Sequence, residues 1–226
     1  MKILIFGATG SAGGSVLREC LASPAVSEVR AIARRSPDVQ HPKLTTVIHS
    51  DYEHYERVAH AFESVDLCLY CLGKSVSQVD GEAAYRRLTH GFAIAAAAAL
   101  RAASPAAPFY FVSGRSASLD SRYMWARVKA ETERDLLATT TALCWRPASI
   151  DGVPSASEPK LYRVIRPIAR LFKSSRGFYI SGSDLGRAML QAHSERMIGR
   201  IIENEEIRDL ADRWRGIATA PRHEST

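Results

Sequence analysis

Cysteine is scarce in this sequence, and its placement excludes two common kinds of site. The four cysteines, Cys20, Cys68, Cys71 and Cys144, stand in apolar surroundings rather than at the regular spacings of zinc or redox motifs. The stretch CLYC at 68–71 falls in a predicted strand, where residues three apart point to opposite faces. The histidines add no spaced partners. The sequence therefore predicts buried thiols and no metal site.

Long apolar runs are also missing. The sequence has no uninterrupted run of the roughly 18 apolar residues that a membrane-spanning helix needs. It opens with MKILIFGATG, without a basic leader and cleavage site, so we expect no secretion and a cytoplasmic location. Biased tracts and internal repeats are absent, and 46% of the residues are hydrophobic. Residues 1–226 are predicted to form a single domain.

The charge is biased in one direction, because acidic residues are outnumbered. A formal net charge of +6 attracts anions in general, which include nucleotide phosphates, acidic small molecules, nucleic acids and lipid surfaces. No groove-reading motif or interleaving of basic and aromatic residues is present, so nucleic acid ranks last among these partners. An anionic small molecule or a protein partner stays open.

Apolar strand segments alternate with helical segments along the chain. The strand-like stretches in the first 150 residues are ILIF, VRAIA, TTVI, DLCLYCLG, FYFVS and ALCW. Helical patterns lie between them, including a long alanine-rich helix over 83–103 and another over 121–137. This order is typical of an α/β fold with a doubly wound parallel sheet, the Rossmann type.

The region after residue 150 is predicted to be a small cap on the substrate side, formed by about residues 150–185. Its basic residues Arg163, Arg166, Arg170 and Lys173 recur at helical spacing, although Pro167 interrupts the run. The stripe over 161–173 is either a solvated face or a surface for an acidic ligand, a membrane or a nucleic acid. FYI and RIIE are predicted strands, DLGRAMLQAH a helix, and a last helix ends near Trp214 ahead of a frayed tail.

A glycine-rich loop follows the first strand directly. In GATGSAGG, three glycines stand at G-x-x-G-x-x-G spacing, namely Gly7, Gly10 and Gly13, and a helix begins immediately afterward. Such glycines permit a tight turn and a close approach to a diphosphate, which is then bound by amide groups at the helix N-terminus. The alternative is a turn that binds nothing. The complete strand, loop, helix and strand order favours nucleotide binding, and the missing G-K-[ST] excludes a P-loop.

The end of the second strand carries arginines where NAD-binding folds usually place a carboxylate. Arg34 and Arg35 suit a ribose 2′-phosphate through charge-assisted hydrogen bonds, so the sequence favours NADP(H) over NAD(H). The alternative for Arg35 is a solvated strand end.

Ligands of doubly wound sheets bind at the carboxyl ends of the strands. Asp51 and Tyr52, just after the third strand, are expected beside the adenine. Leu72 and Gly73, after the fourth strand, are expected along the middle of the cofactor.

Several segments together resemble the atypical branch of the short-chain dehydrogenase/reductase superfamily. The GATGSAG loop, YCLGKS, FVSG, VKAETE and WRP carry this resemblance, which is nearest to the Tat-interacting-protein oxidoreductase family and its bacterial relatives. The resemblance implies a Rossmann fold and a dinucleotide cofactor. The residues to which it assigns cofactor contacts are Gly7, Thr9, Gly10, Ser11, Ala12, Gly13, Arg34, Arg35, Asp51, Leu72, Gly73, Lys129 and Pro147.

The resemblance also implies a catalytic centre, and here the sequence departs from the family. Ser113 matches the serine that orients a substrate carbonyl, and Lys129 matches the active-site lysine. Four residues before that lysine the family has a tyrosine that donates a proton, whereas this chain has Trp125, whose indole is no acid. Tyr123 is not expected to substitute unless the helix starts after residue 123 and the loop folds back, because its position lies about 240° from Lys129 around a helix. Thr89 replaces a supporting asparagine.

Three functions follow from these residues. The first is an NADP(H)-binding protein whose proton-transfer site is damaged, acting as a weak or non-classical oxidoreductase or as an NADP-dependent regulator. The second is an active NADPH-dependent carbonyl reductase, in which Ser113 polarises the carbonyl and Lys129 or water supplies the proton. The third is a protein-interaction module that no longer binds cofactor, which requires the glycine loop to be vestigial.

Overall fold

The computed structural model describes residues 1–154 and 177–216. The basic stripe at 161–173, most of the predicted cap and the tail lie outside the described residues.

The centre of the fold is a seven-stranded parallel sheet. Its strand order is β3-β2-β1-β4-β5-β6-β9, and every neighbouring pair in it runs parallel. A parallel pair, β7 and β8, forms a second small sheet. The strands are β1 (Lys2–Phe6), β2 (Glu28–Ala33), β3 (Leu44–Ile48), β4 (Leu67–Tyr70), β5 (Phe109–Val112), β6 (Ala142–Arg146), β7 (Ser149–Asp151), β8 (Tyr179–Ser181) and β9 (Arg200–Glu203). The doubly wound Rossmann-type α/β fold is confirmed.

Helices cover both faces of this sheet. They are α1 (Ser11–Ala22), α2 (Gly81–Arg86), α3 (Phe92–Ala103), α4 (Met124–Thr139), α5 (Gly182–Ser194) and α6 (Asn204–Trp214). Short 3₁₀ helices span Glu56–Phe62 and Val76–Gln78, and a π-helical turn spans Arg87–Gly91. The predicted single helix over 83–103 is thus α2, the π turn and α3 in direct succession. The helical pattern of residues 54–63 corresponds to the 3₁₀ helix over Glu56–Phe62.

Alternation along the strands builds a core on each side of the sheet. In β1, Ile3 and Ile5 pack toward α1, α5 and α6, whereas Leu4 and Phe6 pack toward α3 and the 3₁₀ helix. All four side chains are buried, as expected for a parallel sheet that is covered on both faces. The apolar runs in the sequence therefore reflect burial from two directions.

The predicted burial of the thiols is confirmed for three cysteines. Cys20, Cys68 and Cys144 are buried, and Cys71 is partly buried just beyond the end of β4. Burial raises the pKa of the Cys71 thiol to about 12 and also raises the pKa of the other three thiols. Within residues 1–154 and 177–216, no cluster of metal-ligating side chains occurs.

A seam of small residues joins the C-terminal helices to α1. A Cβ at Gly182 would lie 2.5 Å from Ser15 Cβ and 3.1 Å from Gly152 Cα. The Ser15 hydroxyl accepts a hydrogen bond from the Val153 amide at 2.9 Å. The segment after β7 and the start of α5 therefore rest directly on the first turns of α1.

We expect Gly182→Ala to open this seam and to destabilise the protein by roughly 1–3 kcal/mol, the usual cost of overpacking. Chemical denaturation monitored by circular dichroism measures the change. Gly91→Ala is the matched control, because no atom lies within 4 Å of the added methyl group. Equal stability of the two variants would contradict a close-packed seam.

Candidate functional site

The glycine loop is a tight turn pressed against the end of β4. Gly7 has a φ of +76°, a region that favours glycine. A Cβ there would lie 2.5 Å from the Cys71 carbonyl oxygen and 2.7 Å from the Leu72 amide nitrogen. The Gly10 amide donates to the Gly7 carbonyl at 2.9 Å, which closes the turn. No side chain except hydrogen fits at position 7.

The first turn of α1 is equally close to the loop. A Cβ at Gly13 would overlap the Gly7 carbonyl oxygen. Gly10 is the N-cap, so no capping side chain occupies the helix N-terminus, and the first turn contains no acidic residue. The Ser11 hydroxyl is buried and has no hydrogen-bond partner among the described residues. Free helix amides and a side-chain-free cradle fit the diphosphate of a dinucleotide.

The two arginines predicted to select the cofactor follow β2 directly, and both are exposed. Arg35 lies 3.8 Å from Asp38, whereas Arg34 forms no ion pair within the described ranges. Burial raises the pKa of the Tyr52 hydroxyl, and the charge and backbone of Arg34 oppose this shift. Arg34 is therefore the freer guanidinium and is close to Tyr52.

The other predicted cofactor residues lie along the same carboxyl edge of the sheet. The Asp51 carboxylate accepts hydrogen bonds from the Glu53 amide and from His54 Nδ1, each at 3.1 Å. These bonds lower the pKa of Asp51, with the Glu53 amide as the main cause. The space around Gly73 is open, since nothing lies within 4 Å of a Cβ placed there. The Pro147 carbonyl accepts a hydrogen bond from the Arg115 amide at 3.0 Å.

Lys129 and Ser113 meet at the end of β5. Lys129 Nζ donates a short hydrogen bond to the Ser113 carbonyl oxygen, and a Cβ at Gly114 would lie 3.2 Å from the same Nζ. Glycine at position 114 therefore permits the approach of the ammonium group. The Ser113 hydroxyl is buried and has no hydrogen-bond partner among the described residues. Such an orphan hydroxyl fits a ligand oxygen that completes its hydrogen bonding.

A buried carboxylate lies one helical turn beyond the lysine. Glu133 is 1% exposed and accepts two hydrogen bonds from Arg146, at 2.9 and 2.6 Å. Arg146 also donates to Glu203 at 3.0 Å, which ties α4 to the ends of β6 and β9. Burial lowers the pKa of Lys129 to about 8, while the charge of Glu133 opposes this change. The sequence analysis missed Glu133, although its i+4 spacing from Lys129 was a usable signal.

Trp125, which is predicted to stand in the position of the family tyrosine, is only partly buried. Helix α4 begins at Met124, so Tyr123 is its N-cap. The ring of Tyr123 is 52% exposed and stacks on Trp125 with centroids 6.4 Å apart. Its hydroxyl accepts a hydrogen bond from Arg122 at 2.7 Å. Tyr123 thus lies at the helix entry, with its hydroxyl at the surface beside an arginine.

Thr89 lies in the π-helical turn between α2 and α3. The residue is buried, and a hydrogen bond links its side chain to Tyr85, one turn earlier. Single π turns occur frequently at functional sites. The turn separates two helices that the sequence pattern did not divide.

The comparisons with known proteins agree with this geometry. A family model described as NAD(P)H-binding matches residues 7–140, more than half of the chain. This chain belongs to that family. The match covers the glycine loop, both arginines after β2, Ser113 and Lys129.

Curated relatives come from fungi. The protein fmp52 of Aspergillus clavatus is 28% identical over 165 residues, 70% of this chain and 70% of the relative. The FMP52 protein of Meyerozyma guilliermondii is 24% identical over 177 residues, 77% of this chain and 76% of the relative. Both relatives are named as mitochondrial proteins, so the prediction of a cytoplasmic location is wrong by this comparison. No helix in the described part of the chain is long and apolar enough to span a membrane.

Solved structures share the fold at low sequence identity. A short-chain dehydrogenase/reductase family oxidoreductase from Burkholderia thailandensis superposes with a TM-score of 0.70 at 16% identity, covering 96% of this chain and 98% of its own. A dTDP-glucose 4,6-dehydratase from Streptomyces venezuelae, solved with NAD bound, superposes with a TM-score of 0.69 at 16% identity. The match covers 96% of this chain and 82% of the dehydratase. The predicted resemblance is confirmed for the Rossmann-type fold by these structures and for the NAD(P)H-binding family by the family model. Its nearer likeness to Tat-interacting-protein oxidoreductases stays a prediction.

The depressed pKa of Lys129 predicts a pH dependence of stability. Between about pH 8 and pH 10.5 the unfolded chain keeps the lysine proton that the folded chain has released, so rising pH stabilises the folded state. Lys129→Met should remove this contribution, which is on the order of 2 kcal/mol because the group is only partly buried.

The measurement is the free energy of unfolding of both proteins across this pH window. Buried thiols and tyrosines act in the opposite direction in both proteins, so the difference between the two curves isolates Lys129. Parallel curves would show that its pKa is normal in the folded protein.

Proposed function

We propose that this protein is an NADP(H)-binding oxidoreductase of the short-chain type whose proton-transfer site is altered. The observation that carries the proposal is a single sheet edge that combines the glycine cradle, Arg34 and the Ser113–Lys129 contact with Trp125 in the tyrosine position. A bound NADPH would supply hydride chemistry at this edge. An active NADPH-dependent carbonyl reductase and a cofactor-free interaction module are the alternatives.

The cofactor half of the proposal rests on Gly7, Gly13 and Arg34. The two glycines keep the cradle free of side chains, and helix amides there would bind the diphosphate. The exposed Arg34 guanidinium has no carboxylate partner in the described ranges and would bind a 2′-phosphate. Arg35 contributes less, because Asp38 lies near it.

The chemical half rests on Ser113, Lys129 and Trp125. The Ser113 hydroxyl would donate a hydrogen bond to a substrate oxygen. Lys129, with a pKa of about 8, exchanges protons near neutral pH and would bind the nicotinamide ribose. Trp125 presents a ring and an N–H group but no titratable proton. Reduction of simple carbonyls should therefore be slow in this protein.

We expect Arg34→Ala to weaken NADPH binding by about 10-fold to 100-fold, the loss of one charge-assisted hydrogen-bonding group, and to leave NADH binding unchanged. Isothermal titration calorimetry with both cofactors gives the two affinities. Arg18→Ala is the matched control, since Arg18 is an exposed arginine on α1 without an ion pair among the described residues. Equal affinity of the native protein for NADH and NADPH would refute the 2′-phosphate assignment.

We expect Trp125→Tyr to raise NADPH-dependent reduction of simple aldehydes and ketones by about 10²-fold or more, the usual contribution of a positioned acid. Trp125→Phe is the control, because it changes the ring without adding an acid. The rates are measured as the loss of the absorbance of the reduced nicotinamide at roughly 340 nm. Rapid turnover of simple ketones by the native protein would argue for the carbonyl reductase alternative.

A further inference from the structure

Two arginine–aromatic pairs lie close in the chain to Ser113 and Lys129. The guanidinium of Arg115 lies 4.3 Å from the centroid of the Phe178 ring. That of Arg122 lies 4.8 Å from the centroid of Tyr123, which stacks in turn on Trp125 at an interplanar angle of 23°. The second group is therefore a stack of one cation and two rings.

Chain connections place both pairs beside the reactive groups. Arg115 stands two residues after Ser113, and its amide donates to the Pro147 carbonyl at 3.0 Å. The Phe178 carbonyl accepts a hydrogen bond from the Ser149 amide at 3.3 Å, so the backbone of Phe178 is held at the start of β7. On the other side, Trp125 stands one helical turn before Lys129 on the same face of α4.

The exposure of these rings is unusual for their size. Phe178 is 61% exposed and Tyr123 is 52% exposed, and they are two of only six large hydrophobic side chains that are exposed within the described residues. Neither Arg115 nor Arg122 forms an ion pair with a described carboxylate. One N–H group of Arg122 donates to the Tyr123 hydroxyl at 2.7 Å. The other in-plane N–H groups of a guanidinium stacked on a ring stay available for a carboxylate, sulfonate or phosphate. The two groups thus offer flat apolar surface together with two positive charges that no described carboxylate pairs.

Without a positioned acid, the site suits only those hydride acceptors that can be reduced before they are protonated. A simple ketone becomes an alkoxide, which is strongly basic and needs a proton from a positioned acid as it forms. A quinone or an isoalloxazine becomes an anion delocalised over its ring, comparable to a phenolate with a conjugate-acid pKa of about 10. Such an anion forms without a proton donor, so Trp125 is no obstacle. The nearby Lys129 ammonium would stabilise its charge.

We propose that the site takes a flat, conjugated, negatively charged acceptor of the quinone or flavin type, bound between the Arg115–Phe178 pair and the Arg122–Tyr123–Trp125 stack. This proposal rests on the proposed function, because the reductant is NADPH. In the balanced reaction the acceptor gains one hydride from the dihydronicotinamide and one proton from water. The products are the dihydro form of the acceptor, NADP⁺ and hydroxide, which the buffer neutralises.

Binding tests the proposal independently of turnover. FMN and anthraquinone-2-sulfonate are titrated into the full chain saturated with NADP⁺, and calorimetry gives their affinities. We expect both probes to bind, and the neutral parent anthraquinone to bind at least 10-fold more weakly than its sulfonate. Arg115→Ala and Phe178→Ala should each lower the affinity for the sulfonate by 10-fold or more. Arg57→Ala, an exposed arginine on the 3₁₀ helix, is the matched control and should change nothing.

Turnover provides the second readout. NADPH oxidation with anthraquinone-2-sulfonate should exceed that with cyclohexanone by at least 100-fold in the native protein, and Trp125→Tyr should narrow this ratio. The proposal is overturned if NADP⁺ binds tightly but neither anionic probe does, or if the Arg115 and Phe178 variants bind the sulfonate like the native protein. Failure of NADP⁺ itself to bind would instead refute the proposed function.

Discussion

Close approach between backbones at Gly7 determines most of what surrounds the site. The carbonyl of Gly7 is packed against Gly13, and its α-carbon lies against the peptide that joins Cys71 to Leu72. One turn of chain therefore fixes α1 relative to β1 and β4, the two strands at which the sheet order reverses. The crevice of a doubly wound sheet opens at this reversal, so the packing of two glycines also sets the position of the crevice.

Under the proposed function, the two halves of the site differ in how closely they follow the pattern that the resemblance implies. The dinucleotide half keeps its cradle, its free helix end and its cationic group after β2. The reacting half keeps Ser113 and Lys129 with a supporting Glu133–Arg146 pair, yet Trp125 stands where the proton donor is expected. Under the proposed function, the surrounding structure positions this lysine for catalysis, and Trp125 changes which acceptors are suitable.

The fold was predictable because its determinants are local and periodic. Two-sided burial produces continuous apolar strands, and the loop glycines mark the β1–α1 junction, so Gly7 and Gly13 could be read directly. The π turn around Thr89 could not, because it interrupts a helix without a proline. Pairing of Glu133 with Arg146 joins α4 to β6 and depends on tertiary packing. The stack of Tyr123 on Trp125 depends on where α4 begins, which periodicity locates only to within a few residues.

The first turns of α1 have two roles, one on each side of the helix. One side of the helix end presents amides to the crevice. On the other side Ser11 lies against Gly152, Ser15 lies against Gly182, and Gly14 lies against the side chain of Val153. Positions 14, 152 and 182 therefore form one packing unit, in which a larger residue at one position requires a change at the others. Segments around Gly152 and Gly182 transplanted from a homologue would need to bring their own α1 start with them.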